Sequence, residues 1–154
     1  MITSKRNIYI LYVTLQCNME LEKLSEWNPW WTKKELVGNL TGKHRPAYDP
    51  LVNSIEIREI IIILGVRRSG KSTLMYQMIK KLLDKDLDPK QILFINFDDK
   101  QLTNDTLEEI YNSYRENINS DKKAYVFLDE IHKKAINHLT ILLVFTSFIT
   151  PIIL

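Results

Sequence analysis

The sequence lacks the patterns that mark secreted mini-domains, membrane spans or nucleic-acid-binding tails. Its single cysteine, Cys17, excludes an internal disulfide framework and fits a reducing compartment. A net charge of +2 is too small to argue for nucleic acid or an anionic membrane as partner. No purely apolar run approaches the roughly 20 residues of a membrane helix, so no membrane partner is expected. Repeats and low-complexity tracts are absent. Glycine is scarce: there are four, and two of them, Gly65 and Gly70, fall in one short segment. The 154 residues are 45% hydrophobic and 26% charged, which suits one globular domain with one core.

The segment with the paired glycines organises the reading. An apolar β-branched run, Ile60 to Leu64, precedes Gly65-Val66-Arg67-Arg68-Ser69-Gly70-Lys71-Ser72-Thr73, and an amphipathic pattern follows. This is G-x-x-x-x-G-K-[ST] between a strand and a helix, the order a phosphate-binding P-loop requires. The glycines permit backbone angles and close approaches that a Cβ would block. Successive N–H groups and the helix N-terminus then face the phosphates. The expected cofactor-binding set for ATP is Gly65, Arg68, Ser69, Gly70, Lys71, Ser72 and Thr73. Lys71 would reach the β- and γ-phosphates, a catalytic role, and the Ser72 hydroxyl would ligate Mg²⁺.

The rest of the chain alternates strands and helices. Met19 to Trp27 suits a short helix, and Asn28-Pro29-Trp30-Trp31 a turn with two aromatics, read as packing or as a wall for adenine. Residues 32–54 read as a partly irregular lead-in whose Lys33, Lys34, Lys43 and Arg45 are solvated and whose Pro46 and Pro50 act as breakers. Ile60–Leu64 is the first core strand. Leu74, Met75, Met78, Ile79, Leu82 and Leu83 recur at helical spacing and should pack on the sheet. The second strand is Gln91–Phe97, closed by Asp98-Asp99, a turn with a site role left open. Thr106-x-x-Glu109 is a capping-box pattern. It opens a helix whose inner face is Leu107, Ile110, Tyr111, Tyr114 and Ile118. Ala124–Leu128 is a third strand, apolar throughout as a buried parallel strand is. The expected fold is α/β, a doubly wound parallel sheet with helices on both faces.

A second constellation stands at the end of that third strand. Asp129-Glu130 after four apolar residues is the Walker B pattern. Carboxyl ends of parallel strands line one crevice, so Asp129 is expected to hold Mg²⁺ beside Ser72, and Glu130 to serve as general base or to orient water. The strand between the two motifs and the paired glutamate point to the ATPase branch of P-loop proteins.

At these residues the sequence resembles the AAA-type ATPases of archaea and bacteria whose loop reads G-x-R-R-x-G-K-[ST]-T-L. Gly65 to Leu74 matches that form, and Asn28–Trp31, Phe94–Asp99 and Phe127–His132 are also similar. The resemblance covers roughly Met19 to Lys133. It implies an AAA core, ATP binding and slow hydrolysis in a cytoplasmic protein. A homo-oligomer, and in full-length relatives a DNA or protein client, are compatible with it.

Both ends depart from the family pattern. Residues 1–18 are an extension of uncertain role: a signal-like segment, an edge strand, or sequence upstream of a true start at Met19. Residues 19–154 form the AAA-type domain, with 134–154 diverging. Leu139–Phe145 can be the sensor strand, but Thr146-Ser147-Phe148 lacks the glycine of Thr-Gly-Ser, and no trans-acting arginine finger can be assigned. The reading is a P-loop domain incomplete at its C-terminus, poor in turnover, with Leu139–Phe145 and Ile149–Leu154 leaving apolar surface or an open sheet edge. The alternatives are a nucleotide-binding remnant without turnover, a small-molecule P-loop kinase and a membrane-tethered fragment.

Overall fold

The computed structural model of the chain describes residues 21–33, 38–46, 48–55, 60–102, 105–133 and 152–153. The 1–18 extension, Leu139–Phe145 and the Thr146-Ser147-Phe148 triplet lie outside them. Residues 21–27 are helical (α1), and α2 (Trp30–Lys33), α3 (Tyr48–Ser54), β1 (Ile60–Ile61) and α4 (Lys71–Leu83) follow. Then come β2 (Ile92–Asn96), α5 (Leu107–Asn117), β3 (Tyr125–Asp129) and β4 (Ile152–Ile153). The four strands form one parallel sheet in the order β1-β4-β3-β2.

The sheet is buried on both faces along β2 and β3, as continuous apolar strands require. Ile92, Phe94, Tyr125 and Phe127 point to one side, where Met75, Met78, Ile79 and Leu82 of α4 cover them. Leu93, Ile95, Val126 and Leu128 point to the other, where Leu107, Ile110, Tyr111 and Tyr114 of α5 meet them. Met75 and Met78 are thus core, as the helical spacing indicates. The capping box that opens α5 is complete: Glu109 N–H donates to Thr106 Oγ1 (3.2 Å), and Thr106 N–H donates to Glu109 Oε2 (2.8 Å).

Three sequence expectations need correction. The apolar run after residue 60 is not a five-residue core strand: pairing ends at Ile61, and Ile62, Leu64 and Val66 are 58%, 88% and 78% exposed. Ile61 and Ile63 pack on the α4 side. Pro50 does not break the lead-in; it sits in the first turn of α3, where the missing N–H would have no helical partner. Ile152–Ile153 is not an open edge. It pairs in parallel with β1 on one side and β3 on the other, between Ile60–Ile61 and Val126–Phe127.

The Asn28-Pro29-Trp30-Trp31 segment seals the outer strand, β2. The Asn28 side chain accepts from Phe94 N–H (2.7 Å) and donates to Phe94 O (2.9 Å), as a neighbouring strand would. The indole N–H groups of Trp30 and Trp31 both donate to Ile92 O, at 3.2 and 2.7 Å. Trp30 is fully buried and Trp31 stacks on Tyr114 with ring centroids 5.8 Å apart. The packing role of these indoles therefore holds, and no adenine wall is needed to explain them. An unpaired parallel edge invites intermolecular strand addition; here side chains occupy its donors and acceptors.

Two predictions follow from this packing. Asn28→Ala strands the Phe94 amide and carbonyl, and it should cost about 3 kcal/mol of unfolding free energy by urea titration; a loss below about 1 kcal/mol would remove the sealing role. The second concerns Tyr76, stacked on Phe94 (4.8 Å between centroids), whose hydroxyl is pushed up to about 12 by burial and then by the charge of Asp129. Burial likewise raises Tyr114. The unfolded chain sheds these protons near pH 10 while the folded chain keeps them. Stability should be whole below about pH 10 and fall as pH climbs from there towards 12. Urea midpoints across that range should drop for the wild type and drop less for Tyr76→Phe; equal declines would place the Tyr76 hydroxyl in solvent.

Candidate functional site

Parallel strands send their carboxyl ends to one rim of the sheet, and two separate pieces of sequence meet there. Ser72 lies in the first turn of α4 and Asp129 ends β3. The Ser72 hydroxyl donates to Asp129 Oδ2 at 2.5 Å. Asp129 is buried, 5% exposed, and its other oxygen accepts from Glu130 N–H at 3.1 Å. This carboxylate is held in place beside the start of α4.

The 65–73 loop is shaped by its glycines at two places. A Cβ at Gly65 would lie 2.8 Å from Ser69 Oγ, so the loop closes on itself there. Gly70 has φ +92°, a left-handed backbone that side chains rarely adopt, and it is the residue that precedes α4. Ser69 N–H donates to Val66 O at 3.2 Å, making the turn between them. Gly70 has no side chain to cap α4. Lys71 folds back over the loop, and its ammonium donates to Gly65 O (3.2 Å) and Val66 O (3.3 Å). Arg68, φ +63°, is exposed, as are Arg67 and Ser69, while Thr73 is half-buried. Lys71 thus reaches back to the loop carbonyls and Ser72 meets Asp129, while Arg68 lies exposed.

Glu130 follows Asp129 with φ +54°, a strained conformation for a non-glycine residue costing on the order of 1–3 kcal/mol. Its carbonyl accepts from Lys133 N–H at 3.0 Å, which helps to hold the turn. The half-buried carboxylate lies 3.6 Å from His132 Nδ1. Nearby, Asp98 pairs with Lys133, whose hydrogen bond and charge hold the Asp98 carboxyl below the usual range, with Arg67 adding a smaller pull. Asp99 accepts from the Trp27 indole N–H at 2.7 Å. Both aspartates thus have turn and bridging contacts. No group of three or more His, Cys, Asp or Glu able to cage a metal occurs among the described residues. Among them also, no helix is long and apolar enough to cross a membrane.

One residue escaped the sequence reading. Arg45, read as a solvated charge, lies against Gly70: a Cβ there would sit 2.7 Å from Arg45 Nη2 and 3.0 Å from Cζ. Nothing local in Lys43-His44-Arg45-Pro46 signals this, because the approach is made across the fold.

The AAA domain family matches residues 57–144, from the approach to β1 through the Asp129 turn. An uncharacterized protein of Methanocaldococcus jannaschii, MJ1544, is 33% identical over 73 residues, 47% of this chain. The match spans 15% of that relative's length. No solved structure matches the chain. With more than half of its residues inside the family's match, the chain belongs to the AAA domain family, whose members are nucleotide-binding, ATPase-like proteins with the P-loop type of α/β fold.

Proposed function

We propose that residues 19–154 form an ATP-binding, Mg²⁺-dependent AAA-type ATPase domain, preceded by a separate 1–18 extension. The observation that carries the reading is the 2.5 Å hydrogen bond between Ser72 and Asp129, residues remote in sequence. It supports a Walker A loop at Gly65–Thr73 and a Walker B strand ending at Asp129. The sheet order β1-β4-β3-β2, with α4 and α5 on opposite faces, supports a doubly wound arrangement.

The donor set suits a hard cation. A hydroxyl and a buried carboxylate are oxygen ligands, and Mg²⁺ is held by one or two such groups with substrate phosphates and waters completing its shell. Ser72 and Asp129 would hold it, and when bound it supplies charge neutralisation between the phosphates. Lys71 leaves the loop carbonyls to contact the β- and γ-phosphates. The amides at the start of α4 orient the phosphate chain. Glu130, fixed by its left-handed backbone beside the metal residue, orients a water towards the γ-phosphate and accepts its proton. The nucleotide site implies a cytoplasmic location. A homo-oligomer and a DNA or protein client are proposals at the level of full-length relatives, of which this chain covers a small part.

Calorimetric titration with a non-hydrolysable ATP analogue and Mg²⁺ tests the binding half. Lys71→Ala should weaken affinity at least about tenfold, the value of one charge-assisted contact, and chelating Mg²⁺ should weaken the wild type too. Equal affinity in wild type and Lys71→Ala would remove the P-loop assignment. The hydrolytic half is tested by Glu130→Gln, which keeps shape and removes the base. Phosphate release should fall by about 10²- to 10⁴-fold while nucleotide affinity holds. Undiminished release would take Glu130 out of the mechanism, and a wild type that binds without releasing phosphate would favour a binding module without turnover.

A further inference from the structure

The segment 38–46 is fastened to α4 at the level of the phosphate loop. Gln77, buried on α4, donates through Nε2 to Thr41 O (2.7 Å) and to Lys43 O (2.8 Å). One turn earlier on the same helix, Thr73 touches the segment: a Cβ at Gly42 would stand 3.1 Å from Thr73 Cγ2. At its far end the Arg45 carbonyl accepts from Tyr48 N–H (2.9 Å), where α3 begins. The segment is therefore a strap with both ends fixed, and it delivers the Arg45 guanidinium onto Gly70.

That position sets the guanidinium beside the start of α4. Gly70 precedes the amino end of α4, which carries partial positive charge. Lys71 is the next residue. Among the described residues no carboxylate pairs with Arg45; the neighbouring acid, Asp49 in α3, faces His44 Nε2 at 3.8 Å. A guanidinium, a lysine and a helix amino end brought together, with no counter-charge on the first, suit an anion with several oxygens. A guanidinium fork matches phosphate in geometry as well as charge.

We propose that Arg45 is a phosphate-contacting residue of the nucleotide site, a second cation besides Lys71 that reaches the phosphate chain from outside the glycine loop. This inference rests on the P-loop reading of residues 65–73. It also gives Gly70 a second requirement, since any side chain there would displace the guanidinium.

The test is titration of the non-hydrolysable ATP analogue AMP-PNP with Mg²⁺ into wild type, Arg45→Ala, Arg45→Gln and Lys71→Ala, at low and at moderate salt. Melting of each protein without nucleotide runs in parallel. Arg45 is exposed and has no ion pair among the described residues, so both Arg45 variants should melt like wild type. Their affinity should fall about 10- to 100-fold, and their affinity should depend less on salt, since a charge contact to the ligand is gone. Wild-type affinity in Arg45→Gln, with Lys71→Ala impaired, overturns the proposal and leaves the P-loop reading intact. Reduced affinity with an unaltered salt dependence also overturns it, because Arg45 would then act only on the shape of the loop. Equal affinity in wild type and Lys71→Ala, or no binding by the wild type, removes the P-loop reading and this proposal with it. Should Arg45→Ala fail to fold, Arg45→Gln, of similar length and uncharged, decides the matter by the same measurements.

Discussion

Burial of β2 and β3 on both faces is the constraint from which the remaining architecture follows. Each strand sends alternate residues to opposite sides, so one helix cannot satisfy it; α4 covers Ile92, Phe94 and Phe127, and α5 covers Leu93, Ile95, Val126 and Leu128. A strand so placed also has two sides in the plane of the sheet. β3 lies on one side of β2. On the other, the chain uses the amide of Asn28 and the indoles of Trp30 and Trp31 in place of a further strand. Folding the N-terminal segment back onto an edge satisfies backbone groups and buries the largest aromatic of the core in one step.

The same parallel geometry makes the site. Because β1 and β3 run in one direction, the loop leaving β1 and the last residue of β3 emerge on the same rim. The helix that leaves the loop places Ser72 over Asp129, and the carboxylate is fixed from both of its oxygens. Rigidity there has a local counterpart in strain: Arg68, in the loop before Ser72, and Glu130, next to Asp129, are non-glycine residues with positive φ. Strained backbone concentrates where a fixed direction matters more than local comfort. Around it the strap through Thr41, Lys43 and Arg45 adds a cation that neither motif contains.

Much of this was legible from residue pattern. The spacing of Leu74, Met75, Met78, Ile79 and Leu82 marks α4, and the Thr106–Glu109 box marks the start of α5, because both signals are local and have a period. The G-x-x-x-x-G-K-S string likewise identifies its own loop. Other features were illegible for physical reasons. Ile60–Leu64 reads as a buried strand because composition reports hydrophobicity and not cover; Ile62 and Leu64 are exposed. Pro50 reads as a breaker because its tolerance depends on its place within a helical turn. The pairing of Ile152–Ile153 between β1 and β3 has no local signal, since sheet order is set by contacts between segments distant in the chain.

The sequence by itself determined most of the chemical inventory: a glycine loop with Lys71 and Ser72, and a strand closing on Asp129 and Glu130. Periodicity and backbone permissiveness are properties of neighbouring residues, so a linear reading captures them. Tertiary structure alone decided that Asn28 would act as a strand, that Ile152–Ile153 would enter the middle of the sheet, and that Arg45 would rest on Gly70. Each is a contact between segments far apart in the chain, fixed by the twofold burial of the sheet and by hydrogen bonds such as those of Gln77, and no local pattern encodes such a meeting.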